Sequence, residues 1–158
     1  MLRQKKLSKE QAFQKLRHYC SYQERSHAEV KEKLYGFGLY KSDVESCIAE
    51  LIENDYLNEE RFATAFAGGK FRIKKWGKIK IRQGLKAKGV SDYSIKKAIS
   101  LIPADDYEAA LAKYARLKWS ALNQEKNILI KKRKTQDHLL QKGFEADLIG
   151  KVLILLNK

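Results

Sequence analysis

From Lys70 to Lys88 the chain sets out nine basic residues and no acid: Lys70, Arg72, Lys74, Lys75, Lys78, Lys80, Arg82, Lys86 and Lys88. Side chains of this kind do one piece of chemistry unaided, which is to neutralise anionic oxygens. Against a phosphate backbone they release condensed counterions, so the binding they support falls steeply with salt. On a helix, Lys78, Arg82 and Lys86 stand at i, i+4 and i+8 and make a stripe beside the apolar pair Ile81 and Leu85. Like charges so spaced repel by about a few tenths of a kcal/mol per pair, and the fold alone offers no reason to gather them. A polyanion offers one; the plainer alternative is a solvated face in a lysine-rich chain. Trp76 sits inside the run and has two readings, a ring that stacks on an unpaired base or an anchor at a helix junction.

Catalysis finds little support. His18, His27 and His138 stand alone, without the spacing of metal ligands or of a nucleophile and its base. Gly68 and Gly69 do not make a GxxxxGK[ST] phosphate loop. Asp55, Glu59 and Glu60 cluster, but a helix start just after Asn58 accounts for the two glutamates. The expectation is a non-enzyme without cofactor or metal. Cys20 and Cys47 form no CxxC and suit buried, reduced thiols. The basic start lacks the apolar stretch of a signal peptide, and no run approaches the roughly eighteen apolar residues of a membrane span, so a cytoplasmic protein is expected.

Charge narrows the partners. The formal net charge of +14 and pI near 9.7 favour a nucleic acid or something wrapped around one. The charge is uneven: residues 24–60 hold ten acids and four bases, a net of −6, which leaves +20 for the rest.

The elements that must carry these residues follow from a phrase written three times. Gly38, Gly89 and Gly143 are each preceded by four positions by Leu34, Leu85 and Leu139, and followed by six by Val44, Ile95 and Ile149. Ile48, Ile99 and Leu153 come next, then Leu51, Ile102 and Leu156, while Val30, Ile81 and Thr135 stand eight before each glycine. A period of 51 to 54 residues with four-residue apolar spacing predicts stacked helical units. In KFRIKKWGKIKIR the local alternation also fits a hairpin, but Ile81 and Leu85 align with Val30 and Leu34, and that spacing meets on a helix. The repeat places Lys132 where Lys78 stands, so a second basic cluster, Lys131, Lys132, Arg133 and Lys134, occupies the equivalent helix.

Ser8 with Gln11, Ser26 with Glu29 and Ser42 with Glu45 have the spacing of capping boxes. They predict helices at roughly 8–20, 26–36 and 41–54. Asn58 opens the next, which the adjacent Gly68 and Gly69 are expected to bend or fray. Further helices are placed near 77–88, 91–101, 104–121, 124–142 and 145–156, with Pro103 as a breaker. The fold class expected is all-α, an elongated right-handed stack of three tandem three-helix repeats spanning 1–57, 58–102 and 103–158.

The segments RSHAEVKEKLYGFG (25–38), LIENDYLNEERFATAF (51–66) and GKIKIRQGLKAKGVS (77–91) resemble the RecX family of bacterial recombination regulators, strongly over 20–102 and more loosely beyond. Arg25, Ser26, Tyr56, Leu57, Glu60, Arg61, Phe62, Ala63, Gly77, Leu85, Lys88 and Gly89 carry the match, with Asn58 where the family often has aspartate. The resemblance implies three tandem three-helix repeats. It also implies binding to the RecA filament on single-stranded DNA, usually suppressing its ATP hydrolysis and strand exchange, with DNA touched directly or through the filament; a monomer with no membrane partner is expected. The residues expected to meet filament and DNA are Lys70, Arg72, Lys74, Lys75, Lys78, Arg82, Lys86, Lys132 and Arg133. The competing expectation is a helix-turn-helix-like DNA-binding protein without RecA regulation.

Overall fold

The structure, a computed structural model, describes residues 6–157; the head of the basic start, residues 1–5, lies outside them. Among the described residues there are nine helices and no strand. They are α1 (Lys9–Tyr22), α2 (His27–Gly36), α3 (Lys41–Glu53), α4 (Glu59–Arg72), α5 (Lys78–Ala87), α6 (Asp92–Ser100), α7 (Ala104–Ala121), α8 (Ile128–Gln141) and α9 (Ala146–Leu156). The hairpin alternative for KFRIKKWGKIKIR is excluded, because α4 runs to Arg72 and α5 begins at Lys78.

The repeated phrase is a turn with its packing. Gly38, Gly89 and Gly143 adopt φ of +84°, +77° and +96°, a left-handed conformation open to glycine without Cβ strain. After the second and third glycines the chain closes by a six-residue return, Val90 N–H to the Leu85 carbonyl at 3.1 Å and Phe144 N–H to that of Leu139 at 3.2 Å. Leu34, Leu85 and Leu139, together with Val30, Ile81 and Thr135, are fully buried. Each buried aliphatic side chain contributes about 1.5–3 kcal/mol relative to exposure. Thr135 keeps its hydroxyl satisfied by donating to the Lys131 carbonyl at 2.9 Å.

Two compact units divide the chain. One comprises the chain up to Ala65 with Leu85–Lys97; the other comprises Phe66–Gly84 with the chain from Ala98 onward. The cuts fall inside α4, α5 and α6. The first unit packs α1, α2 and α3 around Ala12, Leu16, Val30, Leu34, Val44, Cys47 and Leu51. In the second, α7, α8 and α9 pack together, and an aromatic chain joins Phe71 to Tyr107 at 5.9 Å between ring centroids and Tyr107 to Phe144 at 5.4 Å.

Helix starts test the capping expectations one by one. Ser8 and Gln11 form the reciprocal box. Ser26 accepts from Glu29 N–H at 3.1 Å, but the Glu29 carboxylate takes Lys88 at 3.1 Å as its ion-pair partner. Ser42 caps nothing. Helix α3 begins at Lys41 with Tyr40 at the cap, because buried Leu39 and Val44 fix where the chain re-enters, and Ser42 then lies within the first turn. Gly68 and Gly69 neither end nor fray α4, which continues to Arg72. Helix α8 starts at Ile128 rather than near 124, since the Asn127 side chain accepts from the Leu129 and Ile130 amides at 3.0 and 3.4 Å. Cys20 and Cys47 are buried free thiols, and burial pushes the Cys20 thiol up to about 11.

Candidate nucleic-acid interface

Helix α4 delivers Lys70 and Arg72 in its last turn, and the link to α5 carries Lys74 and Lys75, both exposed. The link closes by Trp76 N–H donating to the Lys70 carbonyl at 3.0 Å, with Lys75 at φ +61°. A left-handed lysine costs about 1 kcal/mol that a glycine would not. Its ammonium lies 5.6 Å from the Tyr114 ring centroid.

Trp76 anchors this junction. Its ring meets Phe66 edge to face, with centroids 6.3 Å apart at 71°, over Gly84, where an added Cβ would come within 2.8 Å of Phe66. The Lys70 and Lys80 ammoniums stand 4.8 and 4.9 Å from the same indole. Lys80 is absent from the candidate set, because nothing in local sequence ties it to Trp76 rather than to solvent. It belongs with Lys70.

The start of α5 is consumed by packing. Gly77 N–H donates to the Lys142 carbonyl at 2.7 Å, Lys78 N–H to the Tyr107 hydroxyl at 3.0 Å and Ile79 N–H to the Gly143 carbonyl at 3.0 Å. The Tyr107 hydroxyl donates in turn to Glu145. Burial, then that hydrogen bond, pushes the Tyr107 phenol well above its ordinary value, so it stays protonated. The first-turn amides of a helix are a ready anion site, but here three of them already have protein acceptors. The start of α5 is therefore not an open site for an anion on its amides. Arg82 and Lys86 are exposed, whereas Lys78 is half-buried with its ammonium 4.6 Å from the Tyr107 ring centroid.

On α8 the four consecutive bases separate by partner. The Lys131 ammonium covers Trp119 at 4.3 Å, and Lys134 pairs with Glu125 at 3.6 Å. Lys132, half-buried, and Arg133, exposed, have neither kind of partner among the described residues. His138, near the end of α8, is held below its ordinary value by burial first and then by Lys118 and Lys142. Among the described residues, none of Lys70, Arg72, Lys74, Lys75, Lys78, Arg82, Lys86, Lys132 and Arg133 forms an ion pair with a carboxylate. Lys70, Arg72, Lys74, Lys75, Lys78, Arg82, Lys132 and Arg133 all lie in the second unit, and Lys86 lies in the first. This arrangement can bind anions. No group of three or more His, Cys, Asp or Glu that could hold a metal is found among the described residues, nor a helix long and apolar enough to cross a membrane.

The family-motif residues near the start of α4 do something else. Arg61 donates from Nε to Glu24 at 2.9 Å and pairs with Asp55 at 3.0 Å, while Glu60 pairs with Lys97 at 2.9 Å. Glu59 accepts from Ser91 N–H at 2.8 Å and from the Ser91 and Ser94 hydroxyls at 3.0 Å each. Burial would raise the Glu59 pKa, but those three donors outweigh it and hold the carboxyl below its ordinary value. These are structural charges.

Comparison with known proteins agrees with the architecture. Residues 58–99 match the profile of the second three-helix domain of RecX, and residues 105–153 that of the third. Regulatory protein RecX of Bacillus licheniformis is 31% identical over 143 residues, covering 89% of this chain and 53% of that protein. The Clostridium acetobutylicum protein of the same name is 31% identical over 128 residues, covering 79% and 59%. The chain thus spans little more than half the length of the curated relatives it matches. The crystal structure of RecX from Lactobacillus salivarius superposes with a TM-score of 0.85 at 23% identity, over 94% of this chain and 96% of that one. A second crystal structure of a regulatory protein RecX gives 0.82 at 20% identity, over 91% and 70%. Those two likenesses establish the fold, and the matched domains and relatives carry the lineage: the chain belongs to the RecX family of regulatory proteins.

Proposed function

We propose that this chain is a non-enzymatic regulator that binds the RecA filament on single-stranded DNA and inhibits its ATP hydrolysis and strand exchange, acting as a monomer in the cytoplasm. The observation that carries the reading is the set of cations on the end of α4, the α4–α5 link, α5 and α8 that no carboxylate among the described residues neutralises, in a family whose curated relatives are named regulatory proteins. In this reading Lys70, Arg72, Lys74, Lys75, Lys78, Arg82, Lys86, Lys132 and Arg133 face the phosphate-rich side of the filament, and the acidic residues 24–60 face protein. Contacts that span neighbouring filament subunits inhibit only if they favour a state that cannot turn over, because a ligand shifts an equilibrium by no more than its differential affinity for the two states.

The test is single-stranded-DNA-dependent ATP hydrolysis by the cognate RecA with this protein added below stoichiometric amounts. Suppression is expected, together with its loss in the variant Lys78→Glu, Arg82→Glu, Lys86→Glu. A chain that shifts single-stranded DNA in a gel but leaves hydrolysis untouched is instead a plain DNA-binding protein. Undiminished inhibition by the folded triple variant would remove α5 from the interface.

A further inference from the structure

We propose that the groove formed by α1 and α2 in the first unit is a second site for single-stranded nucleic acid, stacking a base on Tyr22 and holding the flanking phosphates on Lys15, Arg25 and Lys33. The filament reading places its anion contacts on α4, α5 and α8; in the first unit it asks only that the acids of residues 24–60 meet protein, and it puts no nucleic acid on α1 or α2. The inference therefore goes beyond it.

The site begins with Arg25. Its guanidinium carbon lies 3.7 Å from the Tyr19 ring centroid and its Nε donates to the Tyr19 carbonyl at 3.0 Å, which fixes the group in place. Among the described residues its Nη atoms have no carboxylate partner. The Lys33 ammonium stands 5.0 Å from the same ring, and that of Lys15 stands 5.8 Å from Phe37. These cations and rings line a hollow of about 400 Å³ whose lining includes His18 and, among the described residues, no carboxylate. A neighbouring hollow of about 770 Å³ shares Lys15, Tyr19, Lys33 and Phe37. It does have acids, Glu29 and Glu32, and Glu29 is taken by Lys88 at 3.1 Å. An acid-free basic hollow thus sits in the unit that carries the acidic stretch 24–60.

Packing explains part of this arrangement and leaves one residue over. Tyr19 is half-buried and its ring is a platform for Arg25 and Lys33. Tyr22, one helical turn on, is 79% exposed, with the Arg25 guanidinium 6.0 Å from its ring. An acidic peptide would use the three cations but has no need of an open ring face. Any nucleobase does, because every base has a π-face, and a positively charged groove with exposed aromatics is how strands are held without reading sequence.

The test uses an oligothymidylate bearing 5-iodouracil and the full chain in which Lys78, Arg82 and Lys86 are glutamine, with no recombinase present. Ultraviolet cross-linking should attach the strand to the peptide containing Tyr22. Tyr22→Ala should weaken binding about tenfold, within the range for one stacked base, and Tyr22→Trp should restore it. Lys15→Gln with Lys33→Gln should lower the slope of log K against log salt by about 1.4, because two phosphates of a single strand are then no longer neutralised. Cross-links confined to other helices, with affinity unmoved by Tyr22→Ala, would overturn the proposal. So would a polyglutamate peptide whose binding depends on Lys15 and Lys33 while the oligonucleotide's does not, which would assign the groove to an acidic protein. Because RecA is absent from this assay, its outcome and that of the hydrolysis assay are independent.

Discussion

The two ends of α4 handle charge in opposite ways. Where the helix begins, in the first unit, Glu59, Glu60 and Arg61 each meet a partner: the Ser91 and Ser94 hydroxyls, Lys97, and the Glu24 and Asp55 carboxylates. Where it ends, in the second unit, Lys70, Lys75, Lys78 and Lys80 rest on aromatic rings, with no carboxylate among the described residues as ion-pair partner. The first end uses its charges to hold the fold, so a substitution there is a stability event. The second end is held by close backbone contact and aromatic packing, which leaves its charges available. It follows that the residues that best mark the family need not be those that meet its partner, because a motif such as Glu60-Arg61-Phe62-Ala63 records a junction.

If backbone contact rather than charge holds the second end, Gly77 is its weakest point. A Cβ there would lie 2.4 Å from the Gly143 carbonyl, so Gly77→Ala should destabilise by about 3 kcal/mol, the upper range for overpacking with displaced hydrogen bonds. For a chain of this size that lowers the melting temperature by roughly 6–12 °C, read by circular dichroism. An unchanged melting temperature would mean that the α5 start does not seat as described.

At the first end, Arg61→Ala removes two ion pairs and leaves Glu24, whose Oε2 is already buried without a partner. Discounted for solvent screening, the loss should be about 1–2 kcal/mol in urea denaturation. The sharpest contrast is Lys78→Gln, Arg82→Gln, Lys86→Gln, which changes three charges and should move stability by no more than about 0.5 kcal/mol while weakening single-strand binding and inhibition. A stability loss as large as that of Arg61→Ala would erase the distinction between the two ends.

Glu59 supplies a pH-dependent form of the same contrast. Its folded pKa lies below the ordinary value of 4.5, so its contribution to stability is fully present above that value and is lost as pH falls through the folded one. Glu59→Gln should therefore flatten the acid limb of the stability curve below about pH 4.5 and cost stability near neutrality. Equal slopes for the two proteins would show that the Ser91 and Ser94 hydroxyls do not favour the carboxylate.

Much of the fold was legible in the chain. Apolar residues four apart around Gly38, Gly89 and Gly143 placed helices on either side of each turn, because only a helix brings that spacing onto one face. Ser8 and Asn58 showed where α1 and α4 begin because capping is a local exchange between a side chain and an amide three residues on. Local rules failed where distant residues competed. Glu29 turned from Ser26 to Lys88, and Ser42 lost its cap to the burial of Leu39 and Val44. Of the candidate interface, the basic run was plain, but its division was not. Which cations are taken by Trp119, Glu125 or Trp76 depends on rings and carboxylates that no spacing along the chain could reveal.

By itself, then, the sequence determined period, helix placement and charge, all of which act over a few residues or repeat along the chain. Tertiary structure alone decided that the amides opening α5 donate to Lys142, Gly143 and Tyr107, and that Tyr22 and Arg25 share a groove with Lys15 and Lys33. The reason is one of range. Helix geometry follows from neighbours within a turn, whereas satisfaction of a buried amide and compensation of a charge depend on whatever the folded chain brings within about 3–6 Å.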